Sequence, residues 1–411
     1  MRLLLLFTNV TRFRCVSRKR AGHSGHRVWC GFQINSRVMP QRIPKQSDVF
    51  IVGGGPVGLA AAIALRARGF GVTVADPAIP PIDKTCGEGL MPDALAALAR
   101  LGVTLNPQHA FPFRGIRFVG AGSSVDASFP NGAGAGIRRT YLHQALADRA
   151  DRAGAIMLWG TRVTAVAGTS VMLDGGAVEC RWVVGADGEN SRVRRWAGLD
   201  SARGGSLRFG FRRHYRIAPW TDCVEIYWGA GCQIYVTPIG REEICVVAIS
   251  RDTHLRLDQV LPMFPELFGR LQSAQISATE RGAASPTRRL ARVYRGRVAL
   301  VGDASGSVDA ITGEGMRLGF EQSLSLSAAI ADGDLMAYAA AHRQLAWRPA
   351  LMGALMLSMD RSEWLRRRAL RAFCREPRIF ATQLAMHVGA VTTGDFIRRS
   401  MIPLGRRILA A

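Results

Sequence analysis

The sequence predicts an α/β fold: a doubly wound domain on a parallel sheet, an antiparallel β-sheet domain, and a run of C-terminal helices. Three observations predict it. First, the apolar strand Asp48–Val52 runs into a glycine turn over Gly53–Gly58. An Ala-rich helix over Leu59–Arg68 and a second strand over Gly71–Ala75 follow, which is a βαβ start. Second, between about 205 and 290 the pattern changes. VEIYWGAGCQIYVTPIGREEICVVAIS reads as three strands at hairpin spacing. Third, residues 336–411 read as helical throughout.

The remaining elements follow in order. Pro92–Arg100 is a helix stopped by Gly102, and Thr140–Ala153 is another stopped by Gly154. Strands follow at Ile156–Trp159, Thr161–Val166, Val171–Leu173 and Trp182–Val184. Val298–Val301 returns to the buried parallel-strand style, and a long helix begins at Gly313. The expected division is a basic extension over 1–47, a nucleotide-binding domain over 48–204 and 291–335, a substrate sheet over 205–290, and a helical region over 336–411.

With 411 residues, 48% apolar and 21% charged, the chain has globular composition and room for two or three lobes. Its net charge is +23, with three lysines (19, 45 and 84) among 54 basic residues. Residues 1–47 hold ten of the basic residues and no acid. No zinc-finger spacing, aromatic RNP pattern or compact basic tract accompanies the charge, so nucleic acid is not an expected partner. The eight cysteines form no CxxC, which fits a reducing, cytoplasmic setting, and no metal site is expected.

MRLLLLF begins like a signal peptide, but its apolar run stops at Phe7 and arginines follow at once. A transit peptide, a disordered basic arm and a true start at Met39 compete. The last is favoured because it sets the first strand ten residues from the start. The longest charge-free stretch, Val49–Leu65, reads as strand, turn and helix rather than a membrane span.

Gly53-x-Gly55-x-x-Gly58 follows a strand and opens a helix. Gly53 serves the tight turn, Gly55 lets backbone approach a pyrophosphate at the helix N-terminus, and Gly58 permits close helix–strand packing. Asp76 ends the second strand 21 residues after Gly55, where an acid meets a ribose hydroxyl. Dinucleotide binding follows, and NAD and FAD both use this device. Two later segments bear on the choice: GADGENSRVRR, carrying Asp187, and VGDASGSVDAITGEG, carrying Asp303 and Gly313–Gly315. Each runs from an apolar strand into Gly, Asp and small residues. An Asp at a strand end beside a helix N-terminus can accept from ribityl hydroxyls, and the amides after Gly313 can face the pyrimidine edge of a flavin.

Together the three segments resemble the FAD-dependent oxidoreductases of the geranylgeranyl reductase and aromatic-hydroxylase type, the group A flavoprotein monooxygenase superfamily. Order and spacing agree from about residue 48 to 335. The resemblance implies a Rossmann-like FAD domain. It implies that Gly53, Gly55, Gly58 and Asp76 hold the ADP half of FAD. It implies Arg139 near the same cofactor, with Arg138 as a substitute, and Asp303 at the ribityl–pyrophosphate region. Asp187 would support the cofactor, and Gly313 and Gly315 would line the isoalloxazine. It also implies an electron donor of the NAD(P)H type, although no second GxGxxG is present. Cys86-Gly-Glu88-Gly-Leu-Met-Pro92 looks like the Cys-Gly-rich segment of the reductase branch, which makes Cys86 and Glu88 the candidate catalytic residues. The aromatic stretch Tyr-x-Trp-x-Phe-Pro of that branch corresponds here to Tyr235-Val-Thr-Pro238-Ile-Gly240, without the Trp or Phe. No Trp-x-Trp-x-Ile-Pro, the halogenase signature, is present.

In Asp360–Arg375, Leu365, Ala369 and Phe373 share a helical face, and Arg367, Arg371 and Arg375 line another. Such a basic amphipathic helix either closes the substrate lobe or makes peripheral contact with an anionic membrane. The expected function is oxidation–reduction of a hydrophobic or aromatic small molecule, by O₂-dependent hydroxylation or epoxidation or by double-bond reduction. A non-catalytic prenyl- or lipid-binding protein on the same fold and an NAD-dependent dehydrogenase are the alternatives.

Overall fold

A computed structural model describes residues 42–120 and 122–410. The expectations for residues 1–41 lie outside the described residues. The first strand begins at Gln46, two residues earlier than the sequence pattern indicates.

The main sheet has a parallel centre of five strands. Their spatial order is Val298–Leu300, Gly176–Gly185, Gln46–Val52, Val72–Asp76 and Ile156–Trp159. The helices Pro56–Arg66, Arg139–Arg152 and Gly315–Asp332 pack against one another over one face. Leu59, Ile63, Leu142, Leu146, Phe320 and Leu326 are buried there, in the main hydrophobic core. Phe50, Val171, Val183 and Leu300 bury the other face. The parallel strands read as continuous apolar runs because both faces are covered.

A second sheet of seven strands carries the order Gln275–Leu290, Ala202–Arg216, Glu243–Ser250, Cys232–Gly240, Cys223–Trp228, Gly115–Gly120 and Ser123–Ser128. The 205–290 segment therefore supplies only part of the sheet. Its last two strands come from 115–128, within the segment assigned above to the nucleotide-binding domain. The sheet is not wholly antiparallel, since Cys223–Trp228 runs parallel to Gly115–Gly120. Short strands such as SSVDAS carry too few β-branched or aromatic residues to announce themselves. A small sheet joins Gly89–Leu90, Gly134–Ile137 and Ala110–Phe113, whose strands alternate along the chain with those of the two larger sheets.

The C-terminal region is helical as expected, over Leu335–Arg361, Glu363–Arg375, Pro377–His387 and Ile402–Ala410. The expected single helix over Asp360–Arg375 is broken at Ser362, whose hydroxyl caps the second helix by accepting from the Leu365 amide. Among the described residues no helix is long and apolar enough to cross a membrane.

Candidate functional site

The strand Gln46–Val52 has its partners Val72–Asp76 and Gly176–Gly185 on opposite sides, so a crevice opens at the carboxyl ends of the strands, where the order reverses. The glycine turn fills that crevice. Gly53 has φ +108°, and a Cβ on it would stand 2.4 Å from the Ala186 carbonyl oxygen. A Cβ on Gly58 would stand 1.9 Å from the Gly53 oxygen. These two glycines are required by the protein itself. A Cβ on Gly55 would meet no protein atom within 4 Å, so its bareness serves an occupant of the cleft.

Gly313 and Gly315 repeat this logic. Neither would bring a Cβ within 4 Å of anything, and Gly313 sits at φ +68°. They border a cleft that also takes in Pro56, at the end of the glycine turn, with Arg139, Glu189 and Asp303. Two helix N-termini, at Pro56 and Gly315, face it without a side-chain cap. Uncapped amide ends are receptors for anionic groups. Arg139 contributes a guanidinium whose Nε is buried without a partner among the described residues. Cradle, amide ends and orphaned guanidinium fit a phosphate-bearing dinucleotide.

The carboxylates divide. Asp303 lies in the turn Gly302–Ser305, half-exposed in the cleft, with Lys84 Nζ at 3.8 Å. Asp76 accepts from the Gly54 amide at 2.7 Å and the Ala78 amide at 2.8 Å. It therefore shapes the glycine turn, with lone pairs left for a ligand. Asp187 caps the helix Arg192–Trp196, accepting from the Ser191 hydroxyl and the Arg192 and Val193 amides. From that motif it is Glu189 that borders the cleft, held by Arg288 at 2.8 Å. Arg138, the suggested substitute for Arg139, is committed to Glu243 through its Nε at 3.0 Å and to Ser277. His143, which sequence reasoning missed, lies 2.8 Å from the Gly54 carbonyl through Nε2. Burial lowers its pKa, so a neutral ring donating to Gly54 steadies the turn.

Beside the cleft lies a chamber of about 330 Å³. Cleft and chamber share Cys86, Gly87, Gly313 and Met316 as walls. The chamber is lined mainly by Met, Phe, Leu and Ile side chains, contributed by the second sheet and the C-terminal helices. Tyr235 stands in its wall and donates to the Ile311 carbonyl at 2.7 Å. Burial pushes its phenol pKa up, so it stays protonated.

Cys86 and Glu88 both line the chamber. Cys86 Sγ lies 3.4 Å from the Glu88 amide. Glu88 is 2% exposed and has φ +58°, a strained conformation for a residue with a side chain. Oε1 accepts from the Arg139 amide at 2.9 Å and Arg212 at 3.1 Å, and Oε2 meets His214 Nε2 at 2.7 Å. Arg212 also pairs with Asp83, whose pKa burial would raise but whose contacts with Arg212 hold it below the usual value. Glu88, His214 and Cys245 bring three metal-ligand atom types within 4.8 Å of one another, a grouping the sequence did not reveal. The Arg212 guanidinium, already bonded to Glu88, supplies the positive charge there. Burial and then the Glu88 charge push the Cys245 thiol far up, away from the thiolate a metal needs.

A second Gly-Glu-Gly, at 313–315, also buries its carboxylate. Glu314 is fully buried against Arg317 at 3.0 Å, with His387 Nδ1 3.7 Å away. His387 in turn reaches the Thr312 carbonyl at 3.1 Å and lines the chamber. Of the two alternatives for the Asp360–Arg375 segment, the positions of its apolar stripe fit a helix that closes the substrate lobe. Leu365, Ala369 and Phe373 stand in the chamber wall.

The model of a family described as FAD binding domain matches residues 46–333. The menaquinone reductase of Mycobacterium tuberculosis is 30% identical over 309 residues, covering 68% of this chain and 75% of that protein. Digeranylgeranylglycerophospholipid reductase 1 of Methanothermobacter thermautotrophicus is 26% identical over 318 residues, covering 71% and 79%. Among solved structures, a flavoprotein/dehydrogenase from Cytophaga hutchinsonii superposes with a TM-score of 0.75 at 19% identity, covering 88% of this chain and 98% of that one. A flavin-dependent brominase superposes at 0.71 and 18% identity, covering 89% and 98%. At such identities the likeness to the solved structures is one of fold.

Proposed function

The chain belongs to the FAD binding domain family and is an FAD-dependent oxidoreductase; from that premise we propose that it reduces a carbon–carbon double bond in a largely apolar organic molecule, with NAD(P)H as electron donor. The observation that carries this reading is the apolar chamber sharing a wall with the cofactor cleft at Cys86–Gly87 and Gly313. The two reductases named above match over more of this chain than a ubiquinone hydroxylase does and favour reduction, and with monooxygenases also among the relatives, oxygenation is the rival outcome of the test.

In this reading Gly53, Gly55, Gly58 and Asp76 form the cradle for the ADP half of FAD. Arg139 and Asp303 hold its middle, and Gly313 and Gly315 leave room for the ring. Asp187 acts at one remove, by fixing the turn that brings Glu189 to the cleft. Bound FAD supplies a two-electron carrier next to the chamber. The chamber excludes water and lays the substrate against the shared wall. Saturating a double bond consumes two electrons and two protons, and one proton has to come from the chain or from water. Glu88, bonded to His214, and Cys86 line the chamber at or next to that wall and are the groups proposed to carry the proton.

The test uses FAD-loaded protein, NADPH and two probes, a long-chain menaquinone and a geranylgeranyl lipid, with products weighed by mass spectrometry. A product two hydrogens heavier, formed without oxygen and, for the menaquinone, still heavier after its quinol is reoxidised to the quinone, supports the reading. A product carrying oxygen-18 from labelled O₂ overturns it in favour of hydroxylation or epoxidation.

Two outcomes test the cofactor assignment. Gly55→Val leaves the melting temperature of the apo-protein unchanged, because its side chain enters open space, yet abolishes FAD retention on a desalting column. A parallel fall in melting temperature would show that Gly55 packs against protein. Asp303→Ala weakens FAD binding by roughly 10- to 100-fold, the worth of a charge-assisted hydrogen bond. Unchanged affinity by fluorescence titration would remove Asp303 from the site.

A further inference from the structure

Gln383 stands out in the chamber wall. It lies on the helix Pro377–His387 and is 8% exposed, yet its amide makes no hydrogen bond among the described residues. Most of the other polar groups in the wall are committed. Glu88 is bonded to Arg212 and His214, Tyr235 to Ile311, Ser358 to Leu355, Thr312 to Asp309 and His387 to Thr312. Thr237 is the other hydroxyl without a partner, and it stands on the sheet side of the chamber.

A polar group facing an apolar chamber is satisfied by water or by whatever occupies the chamber. An occupant that displaces water from this amide has to supply the hydrogen bond in its place. A primary amide can donate and accept at once, so it matches a carbonyl or hydroxyl oxygen. No arginine or lysine lines the chamber, and its one carboxylate is already paired, so a charged group on the occupant would lie desolvated without a counter-ion. Gln383 and His387 are four residues apart and share a helix face. His387 touches the Thr312 carbonyl, next to the Gly313 wall of the cleft. Gln383 therefore stands one helical turn, about 6 Å along the helix axis, from His387.

We propose that Gln383 is a specificity-determining residue that reads one neutral oxygen, of carbonyl or hydroxyl type, on an otherwise apolar substrate, and so fixes which bond lies at the Cys86–Gly313 wall. The proposal rests on the chamber being the substrate site. It makes an anionic substrate a poor one, and it places the substrate's oxygen at a chamber residue that the cofactor cleft does not share.

The test compares two uncharged probes of similar shape, 2-acetylnaphthalene and 2-isopropylnaphthalene, on the full FAD-loaded chain by equilibrium binding. The readout is the ratio of the two affinities. Gln383→Met is the variant of choice, since the chamber already holds methionines of similar volume, and Gln383→Leu is the second should the first fold poorly. Either should shift the ratio toward the hydrocarbon by roughly five- to tenfold, the range lost with a neutral hydrogen bond. Hydrocarbon affinity should be unchanged or improved. Thr237→Val should leave the ratio as it is. An unchanged ratio in both Gln383 variants, with binding intact, overturns the proposal alone, and a shift caused by Thr237→Val instead reassigns the contact and also overturns it. If neither probe binds, or if Ala369→Trp in the chamber wall fails to block them, the chamber is not the substrate site and both readings fall.

Discussion

Glu88→Gln and Cys86→Ser are each expected to lower kcat by roughly 10²- to 10⁴-fold, the span of a positioned acid or base, with FAD content unchanged. Both substitutions keep the local hydrogen bonds. A glutamine oxygen can still accept from the Arg139 amide, and a serine hydroxyl can still accept from the Glu88 amide. What Glu88→Gln removes is the charge shared among Arg212 and His214, and with it a carboxyl that can give up and regain a proton at the chamber wall. Glu88 holds a left-handed backbone conformation, which suits Gly and strains other residues. That strain is retained at a site bordering the cofactor cleft, where such outliers cluster. The measurement is steady-state turnover beside the flavin absorbance of the purified variants. Loss of flavin together with rate would make the loop structural. Normal turnover in both variants would clear it from the mechanism and turn attention to Tyr235.

The cofactor cleft was legible because its requirements are local. Gly53 and Gly58 are needed by backbone contacts within a few residues or across one strand pair, and those needs leave a fixed spacing in the chain. The same holds for Gly313, where a positive φ sits between a short turn and a helix start. The chamber was not legible, because its walls come from chain segments far apart: Phe118 from a strand missed at 115–120, Ile226 from the second sheet, Phe373 and Phe380 from C-terminal helices. The charge networks were equally hidden. LRFGFRRHYR reads as a solvated basic strand, yet Arg208, Arg212 and His214 are all buried. Their partners Asp83, Glu88, Asp309 and Asp360 lie elsewhere in the chain, and only tertiary pairing brings them in. A signal was present: period-two alternation puts Arg208, Arg212 and His214 on one face of the strand. The two Gly-Glu-Gly triplets, at 87–89 and 313–315, were a second one. Each presents a buried Glu to Arg and His beside the junction of cleft and chamber.

Arg208→Met is expected to destabilise the protein by about 3–5 kcal/mol, the cost of stripping one partner from a buried ion pair. Arg208 is fully buried, with Nε 3.0 Å from Asp309 and Nη2 2.7 Å from Asp360. Without it, Asp309 keeps its amide bond from Ile311 and the Ser206 hydroxyl but loses its counter-charge. Asp360 keeps Gln233 and the half-exposed Arg251. The damage is expected to reach the cofactor. Asp309 caps the turn Ala310–Thr312, and Gly313 follows directly, so slack at Asp309 moves the loop proposed to face the flavin ring. FAD affinity should therefore fall along with stability, although Arg208 does not line the cleft. The network also predicts acid sensitivity. Burial alone would raise the pKa of Asp360, but hydrogen bonds and charge from Arg208, Gln233 and Arg251 hold it below 3.8. A carboxyl depressed on folding stabilises the fold fully above its unfolded value, and that contribution is lost as pH falls through the folded one. Arg208→Met should shrink this acid-dependent loss. Replacing both partners, as Arg208→Met with Asp360→Leu, should cost less than the sum of the two single changes, because no uncompensated charge remains at position 360. Denaturant midpoints of the apo-proteins at neutral pH and near pH 4 measure all of this. A loss below about 1 kcal/mol for Arg208→Met, the level of an exposed pair, would show that the network contributes no more than a surface salt bridge.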